Sequence, residues 1–148
     1  MRTFDAGVRK RVLAAIERIV NAEAEASGAP RKPEITTLDH FPLNINDRDT
    51  SSRVVDAFRR YFGAERVRET GPAPASEDFG SFGSEWHAPS VFWFVGGTDP
   101  GIYAEAKDAN RLNELPVNHS PKFAPVIHPT LRTGVEALIS AAQAWLSA

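Results

Sequence analysis

The chain has 148 residues, a formal charge of −2, 42% hydrophobic and 24% charged residues, with basic and acidic side chains interleaved along its length. That balance belongs to a globular protein and excludes a disordered tail, and the near-neutral charge gives no field for a nucleic-acid backbone or an anionic membrane surface. Cysteine is absent, which excludes disulfides, thiolate zinc sites and cysteine nucleophiles together, so any metal would need histidine and carboxylate ligands.

From Asp5 to about Ser27 the apolar residues Val8, Val12, Leu13, Ile16, Ile19 and Val20 recur at helical spacing, with Arg9, Lys10, Glu17 and Arg18 between them. Asp5 is placed as its N-cap, and Gly28, Pro30 and Pro33 end the helix. Glu34 to Phe41 alternates Ile35, Thr37 and Asp39 against Thr36, Leu38 and His40, which predicts a strand at a sheet edge. After a polar turn at Asn44 to Asp49, a second helix carries Val54, Val55, Phe58, Tyr61 and Phe62 on one face and stops at Gly63.

Glu65 to Thr70 reads as a short strand, and the Gly71-Pro72-Ala73-Pro74 loop leads into Ser76-Glu77-Asp78-Phe79, a capped start for a short helix. Val91-Phe92-Trp93-Phe94-Val95 is continuously apolar between Pro89 and Gly96-Gly97, and predicts a strand buried on both faces of a central sheet. Thr98 to Val117 has no convincing period. A last helix from about Pro129 to Leu146 is expected to bury Leu131, Val135, Leu138, Ile139, Ala142 and Leu146. Together these elements predict an α/β fold in which the turn from Pro42 to Asp49 separates a first unit, residues 1–45, from a second, residues 46–148. No apolar run approaches the ~18 residues that a membrane helix needs, and Met1 to Asp5 lacks the apolar core of a secretory signal, which points to the cytoplasm.

Without cysteine, the four histidines are the first place to look for metal binding or general-base chemistry. His119 lies in the polar turn Asn118-His119-Ser120-Pro121-Lys122-Phe123, where a proline-fixed loop can aim an imidazole into a cleft. Spacing alone favours an ordinary surface histidine there, because no second histidine sits at metal-site spacing and one ligand cannot fill a shell of about four. His40, His87 and His128 read as structural. Glu77 and Asp78 either orient a ligand histidine or favour a helix N-terminus through the backbone dipole. Gly96-Gly97 after an apolar run would let a substrate approach the backbone, and is also what a tight strand exit looks like.

The order of these segments says more than any one of them. The Val8 to Val20 helix, Phe41-Pro42 followed by Asn46-Asp47, Ser76-Glu77-Asp78-Phe79, Phe94-Val95-Gly96, Asn118-His119-Ser120-Pro121-Lys122-Phe123 and the closing amphipathic helix together resemble the M20 metallopeptidase and amidohydrolase family, in its N-acyl-amino-acid and hippurate hydrolase branch. The resemblance spans nearly the whole chain, and the Ser-Glu-Asp-Phe and His-Ser-Pro-x-Phe pieces are its specific parts. It implies the C-terminal portion of a catalytic α/β domain, residues 46–148, preceded by the second half of an α/β lid, residues 1–45, which commonly makes a homodimer contact. It also implies a site for two divalent ions, zinc or manganese, whose bound water hydrolyses the amide of an N-acyl amino acid or small peptide-like substrate. His119 matches the family's last metal-ligand histidine, and Asn46 resembles a hinge asparagine that reaches the substrate. Gly96 and Gly97 would line the cleft floor, and Glu77 and Asp78 would stand behind the ligands. The family's other ligands and its catalytic glutamate have no counterpart here, so the expectation is a piece of an amidohydrolase that is inactive alone. The alternative is a non-enzymatic binding or dimerisation module.

Overall fold

The computed structural model describes residues 1–75 and 77–146. Its regular structure is helical: α1 (Ala6–Ala26), α2 (Arg48–Phe62), α3 (Gly80–Trp86), α4 (Pro100–Asp108) and α5 (Ile127–Leu146), with 3₁₀ turns at Ala64–Arg66 and Leu112–Glu114. No helix among the described residues is long and apolar enough to cross a membrane.

The α/β expectation is overturned, because no segment among the described residues pairs into a sheet. Alternation and β-branching specify extended backbone, but a strand exists only where a neighbour supplies the ladder. Residues 34–41 form no regular structure and have no ladder partner among the described residues, and the side chains that should mark a buried face are open, Leu38 at 88% exposure. The 91–95 run is not buried on both faces either: Phe94 is 60% exposed. Glu65 to Thr70 begins inside a 3₁₀ turn and continues as irregular chain. Neither the sheet of an α/β catalytic domain nor that of an α/β lid is therefore present among the described residues.

The chain divides into two units, each built from two stretches: Met1–Thr50 with Glu69–Phe92, and Ser51–Arg68 with Trp93–Ala148. In the first unit α1 starts as its sequence dictates. The Asp5 carboxylate accepts from the Val8 N–H at 2.7 Å, and the chain leaves the helix through Gly28, whose φ of 67° suits a residue without Cβ. No residue of α1 is buried. This unit is tied by polar contacts instead: Arg2 donates to the Pro74 carbonyl at 3.0 Å, and the Asp47 N–H donates to the Ser90 carbonyl at 2.9 Å. Gly80 lets α3 meet the chain at Leu43, where a Cβ would come within 2.7 Å of the carbonyl oxygen. Beside it Phe79, Phe82 and Phe92 form tilted ring pairs with centroids 5.7 and 5.9 Å apart.

The second unit holds the core. Val54 and Phe58 of α2 pack with Ala137 and Ala141 of α5, flanked by Phe62, Val67 and Trp93. Phe58 meets Trp93 and Phe62 edge to face, with centroids 5.3 and 5.9 Å apart. On α5 the buried residues are Ala137, Ser140 and Ala141, not the large ones expected from the period; Leu131, Val135, Leu138, Ile139 and Leu146 are exposed. The part of α5 that meets Val54 and Phe58 is thus made of small side chains. Regular helix in α5 begins at Pro129, since His128 is extended at φ −111°, ψ 128°, as the residue before a proline must be. α4 was not legible from apolar period because only Ala106 is buried. Its caps set it: Asp99 accepts from Gly101 and Ile102 N–H at 2.8 and 3.1 Å, with Pro100 in the first turn.

Candidate functional site

The second unit contains His119 and the glycine pair. His119 sits in a turn closed by the Ser120 N–H donating to the Val117 carbonyl at 2.9 Å, and its φ is 71°. Glycine adopts that left-handed backbone without cost, whereas an L side chain there carries strain of order 1 kcal/mol. Among the described residues two others besides glycine share a positive φ, and both end helices: His87 caps α3, and Asn110 follows α4. His119 has no helix to end. It is exposed, and among the described residues no hydrogen bond or ion pair engages its imidazole.

Gly96 and Gly97 are brought against the segment that follows His119. The Gly97 carbonyl accepts from the Val126 N–H at 2.9 Å, and the Gly96 carbonyl accepts from the Thr130 hydroxyl at 3.1 Å. A Cβ on Gly97 would stand 3.2 Å from the Pro125 ring, a tight approach that the ring would have to yield to by a few tenths of an ångström, while Gly96 faces open space.

In the first unit Asn46 acts as a substitute strand. Its Oδ1 accepts from the Phe92 N–H and its Nδ2 donates to the Phe92 carbonyl, both at 2.8 Å, reproducing with one side chain the exchange that a β-neighbour would make. One amide hydrogen and one lone pair of Asn46 are left over. The Glu77 carboxylate folds onto the backbone and accepts from the Asp78 and Phe79 N–H groups at 2.9 and 3.2 Å, just before α3. These bonds go to backbone ahead of α3, whose first turn carries no acidic side chain. Asp78 is exposed, and its carbonyl receives the Ser81 N–H at 2.9 Å. Ser76, the first residue of that motif, lies outside the described residues.

A charged network on α5 was passed over in the sequence. Arg132 and Glu136 form a 2.7 Å ion pair, and Arg66 reaches Thr133 at 3.5 Å. The Arg132 hydrogen bond, assisted by one from Tyr61, holds the Glu136 carboxyl below its ordinary range. The four-residue spacing of Arg132 and Glu136 was its legible signal.

Among the described residues no three histidine, aspartate or glutamate side chains converge as a metal site. His119 offers one donor to a shell of about four, so the described residues do not fit a divalent ion held by this chain alone. No family model matches the chain.

Proposed function

We propose that the chain is a part of an M20-type, metal-dependent amidohydrolase. In this reading it contributes His119 as one metal-ligand imidazole and is hydrolytically silent without polypeptide carrying the other ligands and the catalytic glutamate. The motif order from Asn46-Asp47 through Ser76-Glu77-Asp78-Phe79 to His119-Ser120-Pro121-Lys122-Phe123 supports this. The observation that carries it is His119 itself: an exposed imidazole that no hydrogen bond or ion pair among the described residues engages, held at φ 71° as the third residue of the turn closed from the Ser120 N–H to the Val117 carbonyl. The substrate class is an N-acyl amino acid or small peptide-like amide, zinc or manganese is the metal, and the cytoplasm is the setting. No chemical step is assigned to this chain's own residues, because one donor cannot complete the metal shell.

The test is hydrolysis of N-acetyl and N-benzoyl amino acids by the purified chain with added zinc or manganese. The expected result is no turnover above the metal-only blank. Robust metal-dependent turnover by the chain alone would overturn the reading.

A second reading, a non-enzymatic binding or dimerisation module, is favoured by a different observation. Val8, Val12, Leu13, Ile16 and Ile19 lie exposed along α1, a continuous apolar stripe of the kind that marks interaction surfaces.

A further inference from the structure

We infer that Ser120 is the positioning residue of His119: it fixes the backbone that presents the imidazole, through its hydroxyl as well as its main chain. The use of this in hydrolysis rests on the reading of His119 as a metal ligand. Two consecutive turns meet at Ser120. In the first, Val117 to Ser120, the Ser120 N–H donates to the Val117 carbonyl at 2.9 Å. In the second, Ser120 to Phe123, the Ser120 carbonyl accepts from the Phe123 N–H at 3.0 Å, and its Oγ accepts from the Lys122 N–H at 3.2 Å. All three polar groups of Ser120 are therefore engaged within the loop.

The second turn has the residues its geometry asks for. Pro121 stands second, where its fixed φ fits, and serine is favoured at the first corner because its hydroxyl can take the N–H two residues on. The same proline drives Ser120 away from helical backbone toward the extended region. In the first turn His119 is the third residue, at φ 71° while Asn118 is not left-handed, which matches the φ pattern of a type II turn that glycine fills best. A histidine keeps that conformation only while the corner after it is held. Ser120 is that corner, and within 118–122 it is the one half-buried residue, beside the exposed His119. Removing its hydroxyl leaves the Lys122 N–H to water, loosens the second turn and lets His119 relax toward negative φ, from which the side chain leaves the loop in another direction.

Nuclear magnetic resonance of the full chain, compared with Ser120→Ala and Ser120→Thr, tests the inference. The cross-peak between the His119 amide and α protons reports φ, because these protons stand closest when φ is positive. In Ser120→Ala it should fall by about half, as the histidine leaves a region that side chains disfavour, and exchange of the Lys122 amide should quicken about threefold or more. Ser120→Thr keeps a hydroxyl and suits extended backbone before proline, so it should restore both. Protection of the Phe58 amide should be the same in all three chains, which separates a local role from a general weakening of the fold. An unchanged His119 cross-peak in Ser120→Ala, a threonine variant that behaves like the alanine one, or a loss shared by Phe58 would each overturn the assignment. No metal or substrate enters these measurements, so they stand apart from the hydrolytic reading, which falls instead if the chain alone turns over substrate.

Discussion

The two units are stabilised by different means. Among the described residues every buried hydrophobic one, from Val54 to Ala141, belongs to the second unit, while the first has α1 with nothing buried and is held by hydrogen bonds such as Asn46 to Phe92 and by the ring contacts of Phe79. A closed apolar cluster stabilises in proportion to the area it removes from water, whereas exposed hydrogen bonds largely exchange one partner for another. The second unit should therefore carry the cooperative unfolding transition, and the first should open at lower cost.

The sharpest way to break that contrast is to truncate one side chain in each unit. Phe58→Ala removes the ring between Phe62 and Trp93 and should cost about 3–5 kcal/mol in denaturant unfolding. Val12→Ala on the exposed stripe of α1 should stay within about 0.5 kcal/mol at concentrations where the chain is monomeric. Equal losses would mean that the first unit has a core of its own. Asn46→Ala, which removes the two hydrogen bonds between Asn46 and the Phe92 backbone, should cost about 1–2 kcal/mol, with faster hydrogen exchange at the Phe92 amide and no change at Phe58. Asp5→Ala should cost about 1 kcal/mol and lower the helical signal in circular dichroism by fraying the start of α1. His119→Gly should raise the unfolding midpoint slightly, by about 0.5 kcal/mol, and His119→Val should lower it, because a β-branched residue tolerates a positive φ least.

How much of this was legible follows from which signals are local. α1, α2 and α5 were readable because a helix satisfies its backbone from its own residues, so period and caps such as Asp5 and Gly28 suffice. The strands were not, because Ile35 to Phe41 and Val91 to Val95 specify only an extended chain, and pairing depends on what lies beside it. The buried face of α5 was misjudged for a related reason: the packing selected Ala137, Ser140 and Ala141, a property of two helices together rather than of one. α4 was missed although Asp99-Pro100 announces it, because the search was for apolar period and α4 buries only Ala106. Within the candidate site the exposed turn at His119 was legible from Asn118 to Pro121. Its left-handed backbone was not, since histidine in place of glycine gives no hint of it. Asn46 was singled out for reaching a substrate, and its present engagement with Phe92 could not be read from a sequence separation of 46 residues.

The smallest expected effects are electrostatic and compare the units through pH. The Thr50 hydroxyl, and then its backbone N–H, hold the Asp47 carboxyl below its ordinary range at the start of α2, as Arg132 does for Glu136 on α5. A lowered carboxyl pKa means that the folded state binds the proton less readily than the unfolded one. The stability is present above about pH 4 and is lost as pH falls through the lowered values. Both groups are half-buried and still reached by solvent, so salt should weaken the effect, and Asp47→Asn and Glu136→Gln should each flatten part of the acid limb of a thermal-unfolding series.

The most direct measurement is a reconstitution. The chain, alone and co-expressed with a polypeptide bearing the remaining M20 metal ligands and the catalytic glutamate, is assayed on N-benzoyl amino acids with manganese or zinc. The account predicts silence from the chain alone, turnover from the combination, and loss of that turnover in His119→Ala. Turnover by the chain alone, or a combination indifferent to His119→Ala, would contradict it.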